Sequence, residues 1–285
     1  MRPDRDFDEI GYWSVVKLEI LKEYASAYSR ILSAKNLPHS YIDAFAGAGQ
    51  HRLKKYGRFV LGSPINALKV RPAFRDYYLI DIDAKRIKGL KKLIGERPDV
   101  HLYEGDCNGI LQKEILPLFK YETYRRALCI LDPYGLQVLW GVIVQAGHLE
   151  TIDLFLNFPV MGMNRNVLWR NPERVPEPMR SRMDASWGDR SWERVAYTSE
   201  RSLFNELEKE PNEVIAEGFR KRLVEVAGFK RVPEPMPMRN DQGAVVYYLF
   251  FASQVDVAEQ IVTDIFEKYR NMGASDVAKL LDRVD

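Results

Sequence analysis

The chain has 285 residues, 46% apolar and 29% charged, which is ordinary globular make-up and excludes a disordered, collagen-like or coiled-coil protein. Its 42 Lys/Arg against 40 Asp/Glu leave a formal net charge of +2, so any polyanion site is a local patch and not the whole surface. Two cysteines, Cys107 and Cys129, exclude a disulfide framework and a structural zinc cluster, while the lack of a long apolar run or a signal-peptide core leads us to expect a soluble, cytoplasmic protein without a membrane span.

Along the chain, apolar residues over 13–33 recur at helical spacing, and Asn36-Leu37-Pro38 ends the run. Residues 40–45 read as a short buried strand. Gly47-Ala48-Gly49 and a polar loop over 50–61 follow, and then Ser63-Pro64 opens a helix, serine suiting the N-cap and proline the first turn. Further strands are expected at 76–81, 100–103, 126–131 and 152–158, separated by helices at 85–94, 108–120 and 138–147. This alternation predicts an α/β protein with a parallel sheet and helices on both faces. Residues 159–204 break the pattern: they hold Trp169, Trp187 and Trp192, many arginines and no lysine. A helical pattern returns over 202–226. Two last strands are expected at 229–232 and 244–251, joined by a hairpin over 240–243, before a helix at 257–269. The expected organisation is one large domain, 1–158 and 205–285, with a helical insertion at 159–204 for substrate or partner recognition.

In such sheets ligands lie beyond the carboxyl ends of the strands. Four of those ends carry acids: Asp43, Asp81, Asp106 and Asp132. Gly47 and Gly49 either cradle a ligand or form a plain tight turn; the third glycine of a dinucleotide fingerprint is missing, which argues against NAD. Asp81 can accept from ribose hydroxyls, while Asp83 can do the same or cap the next helix. Asp106 can face an adenine amine or act as a cap. Cys107 packs nearby with no base beside it. His39, His51, His101 and His148 show no ligand spacing, so no metal is expected.

These strand ends, in this order, resemble the S-adenosylmethionine-dependent methyltransferases. The resemblance implies a Rossmann-like class I sandwich whose mostly parallel seven-stranded sheet has an antiparallel last strand. It implies S-adenosylmethionine as cofactor, held by Asp43, Phe45, Gly47 and Gly49 at the methionine part, Asp81 and Asp83 at the ribose, and Asp106 and Cys107 at the adenine. Leu131-Asp132-Pro133-Tyr134-Gly135 is similar to the catalytic turn of methyltransferases acting on adenine or cytosine amines. By that likeness Asp132 and the Pro133 carbonyl accept from the amine, and Tyr134 stacks on the extruded base. The second proline of that turn is missing here. Tyr41-Ile42-Asp43-Ala44-Phe45-Ala46-Gly47-Ala48-Gly49, Gly62-Ser63-Pro64, Leu79-Ile80-Asp81-Ile82-Asp83 and Leu156-Asn157-Phe158-Pro159 together resemble the three-Cys-motif partner family. That implies a partner protein which carries the three cysteines.

Two stretches are candidates for RNA or DNA. The 51–58 loop carries Arg52, Lys54, Lys55 and Arg58 beside Tyr56 and Phe59, suiting phosphates and unstacked bases, or is a solvated surface loop. The cations of the insertion are all arginines, suited to phosphate or base contacts or else paired internally with its acids; Arg165, and Asn157 from the strand before it, can border a substrate pocket. The leading expectation is methyl transfer to a nucleic-acid base amine; the alternatives are a cofactor-binding but non-catalytic module and, more weakly, an NAD enzyme.

Overall fold

The computed structural model describes residues 8–54, 57–201 and 207–281. Seven strands form the central sheet: β1 (His39–Asp43), β2 (Tyr77–Asp81), β3 (Val100–Glu104), β4 (Arg126–Leu131), β5 (Ile152–Phe158), β6 (Met236–Arg239) and β7 (Val245–Ala252). Their order is β3-β2-β1-β4-β5-β7-β6. β1 to β5 pair in parallel, and β7 runs antiparallel to both β5 and β6. The sheet is therefore mixed, mostly parallel with an antiparallel last strand. Chain direction across the sheet switches between β1 and β4, which opens a crevice at their carboxyl ends.

Side chains alternate between two apolar layers, as the two-residue strand period requires. Ile42, Ile80, Cys129, Leu131 and Leu154 face one core; Tyr41, Leu79, Leu128, Ile130 and Phe155 face the other. The second layer is covered by helices Tyr12–Ala34 and Asp256–Tyr269, the first by Trp140–His148 and Asn212–Glu225.

Several local expectations change. The expected loop over 50–61 is a hairpin of Gln50–Leu53 and Phe59–Leu61, and Asp8–Ile10 joins it in parallel. Its Leu53 is buried in the core, an apolar anchor the polar composition hid. The helix at 63 is capped by Gly62, and the Ser63 hydroxyl turns instead to Asp43. The expected helix over 108–120 is composite: an α-turn at Cys107–Ile110, a π-turn at Leu111–Ile115 and a 3-10 turn at Leu116–Phe119, where Pro117 has no N–H to offer. The sixth strand is not at 229–232 but at Met236–Arg239. It tolerates Pro237 because it lies at the sheet edge. Of the expected helix over 202–226, residues 202–206 lie outside the described residues, Leu207–Lys209 is a strand paired with Tyr197–Arg201, and the helix itself is Asn212–Glu225. The insertion folds as helices Val160–Asn166, Glu177–Trp187 and Trp192–Ala196. Its Met183, Trp187 and Trp192 are continuous with the first core layer, not a satellite of it.

Candidate functional site

The carboxyl ends of β1 to β5 open into a cleft of about 520 Å³, a size typical of small-molecule sites. Gly47 reaches it from the turn after β1, Asp81 and Ile82 from β2, Asp106 and Cys107 from β3, and Asp132 to Tyr134 from β4. Helix Tyr12–Ala34 covers it, bringing Trp13, Ser14 and Lys17 to the lining.

The strand-end acids divide by burial. Asp43 is fully buried and does not line the cleft. Its Oδ2 accepts from Ser63 Oγ at 2.6 Å and its Oδ1 from the Phe45 N–H at 3.2 Å, so it braces the turn from below while Phe45 itself lines the cleft. Burial raises its pKa to about 6. Asp81 accepts the Gly47 N–H at 2.9 Å on one oxygen and the Asp83 N–H at 2.9 Å on the other. Gly47 has φ +62, and a Cβ there would stand in open space; Gly49 lies off the lining, packed against Leu90. Asp83 caps helix Ala84–Ile94 and does not line the cleft. Asp106 caps the α-turn after β3, stays exposed and lines the cleft. Cys107 beside it is buried, and burial with the Asp106 charge pushes its thiol up to about 12, leaving it protonated and inert.

At the other end, Lys17 Nζ donates to Asp132 Oδ2 in a tight ion pair. Asn157 Nδ2 donates to Asp132 Oδ1 at 2.9 Å and to the Pro133 carbonyl at 3.2 Å. Two acceptors facing one amide fix its orientation, since only the NH₂ side can serve both. Tyr134 is 69% exposed, and its hydroxyl donates to Asp8 at 2.9 Å. The other Asp8 oxygen accepts from Arg86 at 2.8 Å, so the first described strand ties the two rims of the cleft together. His51 lines the same wall, and burial with the nearby Lys17 charge lowers its pKa.

Among the basic candidates, Lys54 and Arg165 line the cleft, while Arg52 and Arg58 are exposed on the hairpin outside it. Lys55 lies outside the described residues. Asp8, Lys17, Ile82 and Arg86 also line the cleft, beyond the residues expected from the sequence. Lys17 carried a signal: it occupies the apolar stripe of its helix, four residues after Trp13 and four before Leu21, where a lysine needs a partner. No group of His, Cys, Asp and Glu suited to a metal occurs among the described residues, and none of their helices is long and apolar enough to cross a membrane.

No protein-family model matches the chain, and no curated protein matches its sequence. Among solved structures it is similar to protein LPL1258 of Legionella pneumophila, family model DUF519. The identity is 13% and the TM-score 0.52, over 90% of this chain and 93% of that one. That likeness supports the fold alone. The methyltransferase domain of bacterial CtHen1-CN overlaps more loosely, at 10% identity and a TM-score of 0.39 over 82% of this chain and 99% of that one.

Proposed function

We propose that the chain is an S-adenosylmethionine-dependent methyltransferase of Rossmann-like class I fold, acting on a nucleic-acid base amine. The observation that carries this reading is the single cleft over the strand switch point. It joins the Gly47 turn, the Asp81 and Asp106 strand ends and the Asp132-Pro133-Tyr134 turn. The lining suits an adenosine cofactor. Each Asp81 oxygen keeps a lone pair for a ribose hydroxyl, Ile82 is 77% exposed and offers an apolar face, and the missing Cβ of Gly47 leaves room for close approach. When bound, the cofactor supplies an electrophilic methyl group on a sulfonium.

The protein's own task is alignment. Asp132 and the Pro133 carbonyl are the acceptors for amine hydrogens, and Lys17 and Asn157 hold both in place. Displacement at a methyl group needs positioning more than acid–base chemistry. Tyr134, reached before any second proline, is tied to Asp8 and must release it to stack on a base. By the family resemblance, a protein with three cysteines is the partner.

A second reading, a cofactor-binding module without turnover, draws on the same contacts: Lys17 and Asn157 already occupy Asp132. Calorimetry with S-adenosylmethionine and labelled methyl transfer to RNA and DNA separate the two. Turnover that Asp132→Ala abolishes while cofactor affinity persists supports the enzyme; binding with no transfer to any strand supports the module.

A further inference from the structure

Cations in this chain are unevenly placed. The described residues of 50–61 and 84–96 hold eight Lys/Arg against one acid, Glu96, although the whole chain is nearly neutral. The insertion is different: its sequence holds six acids, Arg190 pairs with Glu177 and Asp184, and Arg180 donates to the Pro172 carbonyl. On helix Ala84–Ile94, Lys85, Lys88, Lys91 and Lys92 are all exposed. Among the described residues no ion pair engages Lys88, Lys91, Lys92, Arg52 or Lys54.

The helix packs against the root of the hairpin. Leu90 and Leu93 pack under Gly49 at the hairpin's root. Arg86 of the helix holds Asp8, which is paired in register with His51. In the hairpin, Arg52 lies directly opposite Phe59, so the two project from the same face, away from buried Leu53. Phe59 is 57% exposed. The lysines cluster around a shallow groove that also takes in Gly89, Gly95 and one acid, Glu96. From Lys85 to Lys92 the helix rises about 10 Å.

We propose that this helix–hairpin surface binds the phosphodiester backbone of a single-stranded nucleic acid, with Phe59 stacking on a base. The proposal deepens the nucleic-acid reading above and rests on it for the identity of the polyanion. Charge complementarity calls for a dense anion, and an exposed ring beside an arginine suits an unpaired base, whose face a duplex would hide. The surface continues into the cleft wall through Arg86 and Lys54, so a strand lying on it leads to the Asp132 end.

The test is fluorescence anisotropy of the full chain with labelled 20-nucleotide RNA and DNA single strands over a range of salt. The triple variant Lys88→Ala/Lys91→Ala/Lys92→Ala should weaken binding about a hundredfold near 0.1 M salt and lower the log–log salt slope by about 2, at ~0.7 per phosphate contact. Phe59→Ala should weaken it about tenfold. The charge-matched control Lys113→Ala/Lys120→Ala/Lys221→Ala should bind like the parent. Calorimetry with S-adenosylmethionine should be unchanged in the first triple variant. Loss of strand binding with no cofactor binding in any variant keeps the surface and removes the methyltransferase reading. Equal losses in the two triple variants, or lysine-dependent binding to phosphatidylserine vesicles without binding to either strand, overturn the proposal.

Discussion

Replacing Asp43 by asparagine tests the brace beneath the glycine turn. Asp43 is fully buried, and the donors that reach it are neutral: the Ser63 hydroxyl, the Phe45 N–H and, at 3.4 Å, the Tyr41 hydroxyl. Burial is the largest influence on its pKa and lifts it to about 6, against ~3.9 in an unfolded chain. A carboxyl raised on folding favours the native state below its unfolded pKa. That advantage fades as pH climbs through the folded pKa, because the native chain must then hold a buried charge. The gap of roughly 2 units corresponds to about 3 kcal/mol. Asparagine keeps the Phe45 contact through Oδ1 and donates through Nδ2 to hydroxyls that can turn to accept. Urea unfolding of both proteins between pH 3.5 and 8 gives the difference curve. The variant should gain stability over the parent by about 3 kcal/mol, most of it between pH 4 and 6.5, and level off above. A flat difference, or one that falls with pH, would show that Asp43 does not titrate as a buried acid and would refute the reasoning.

Three further outcomes follow from the geometry. Asn157→Ala strips a donor from both Asp132 and the Pro133 carbonyl; unfolding should show a loss of about 1–3 kcal/mol, and labelled methyl transfer should fall while cofactor affinity in calorimetry holds. Gly147→Ala would place a Cβ 1.9 Å from the Ala227 carbonyl oxygen, and a backbone that must move should cost about 3 kcal/mol or more, read as a clear drop in melting temperature. Gly89→Ala meets nothing within 4 Å on an exposed helix and should add about 1 kcal/mol by the same measurement; a drop would mean that the helix is not solvated there.

Local pattern alone was enough for the sheet's inner strands, because a strand buried on both faces must read as an unbroken apolar run: Ile42, Leu79, Ile80 and 127–131 do. It was enough, too, for the acids at the strand ends and for Asp83 as a cap, since a cap is set within three residues; for Asp106 it left an adenine contact and a cap open, and the structure shows the cap. Residues whose structure depends on distant partners escaped it. The hairpin over 50–61 is extended by Asp8–Ile10 from forty residues away and anchored in the core by Leu53. Met236–Arg239 is a strand despite Pro237 because, at the sheet edge, it pairs with β7 on one side and with nothing in the sheet on the other.

The site divides in the same way. Its acids follow from chain order, because parallel strands in an α/β sheet all end at one edge. Which of those acids faces a ligand was decided by packing: Asp43 sinks beneath the turn while Asp106 stays at the surface. Lys17 meets Asp132 across 115 residues of chain only because the first helix folds back over the strand ends. The near-zero net charge is a sum, fixed by composition; its separation into an acid-lined cleft and a lysine-bearing helix face is a property of the fold, since charge acts through distance in space and not through position in the chain.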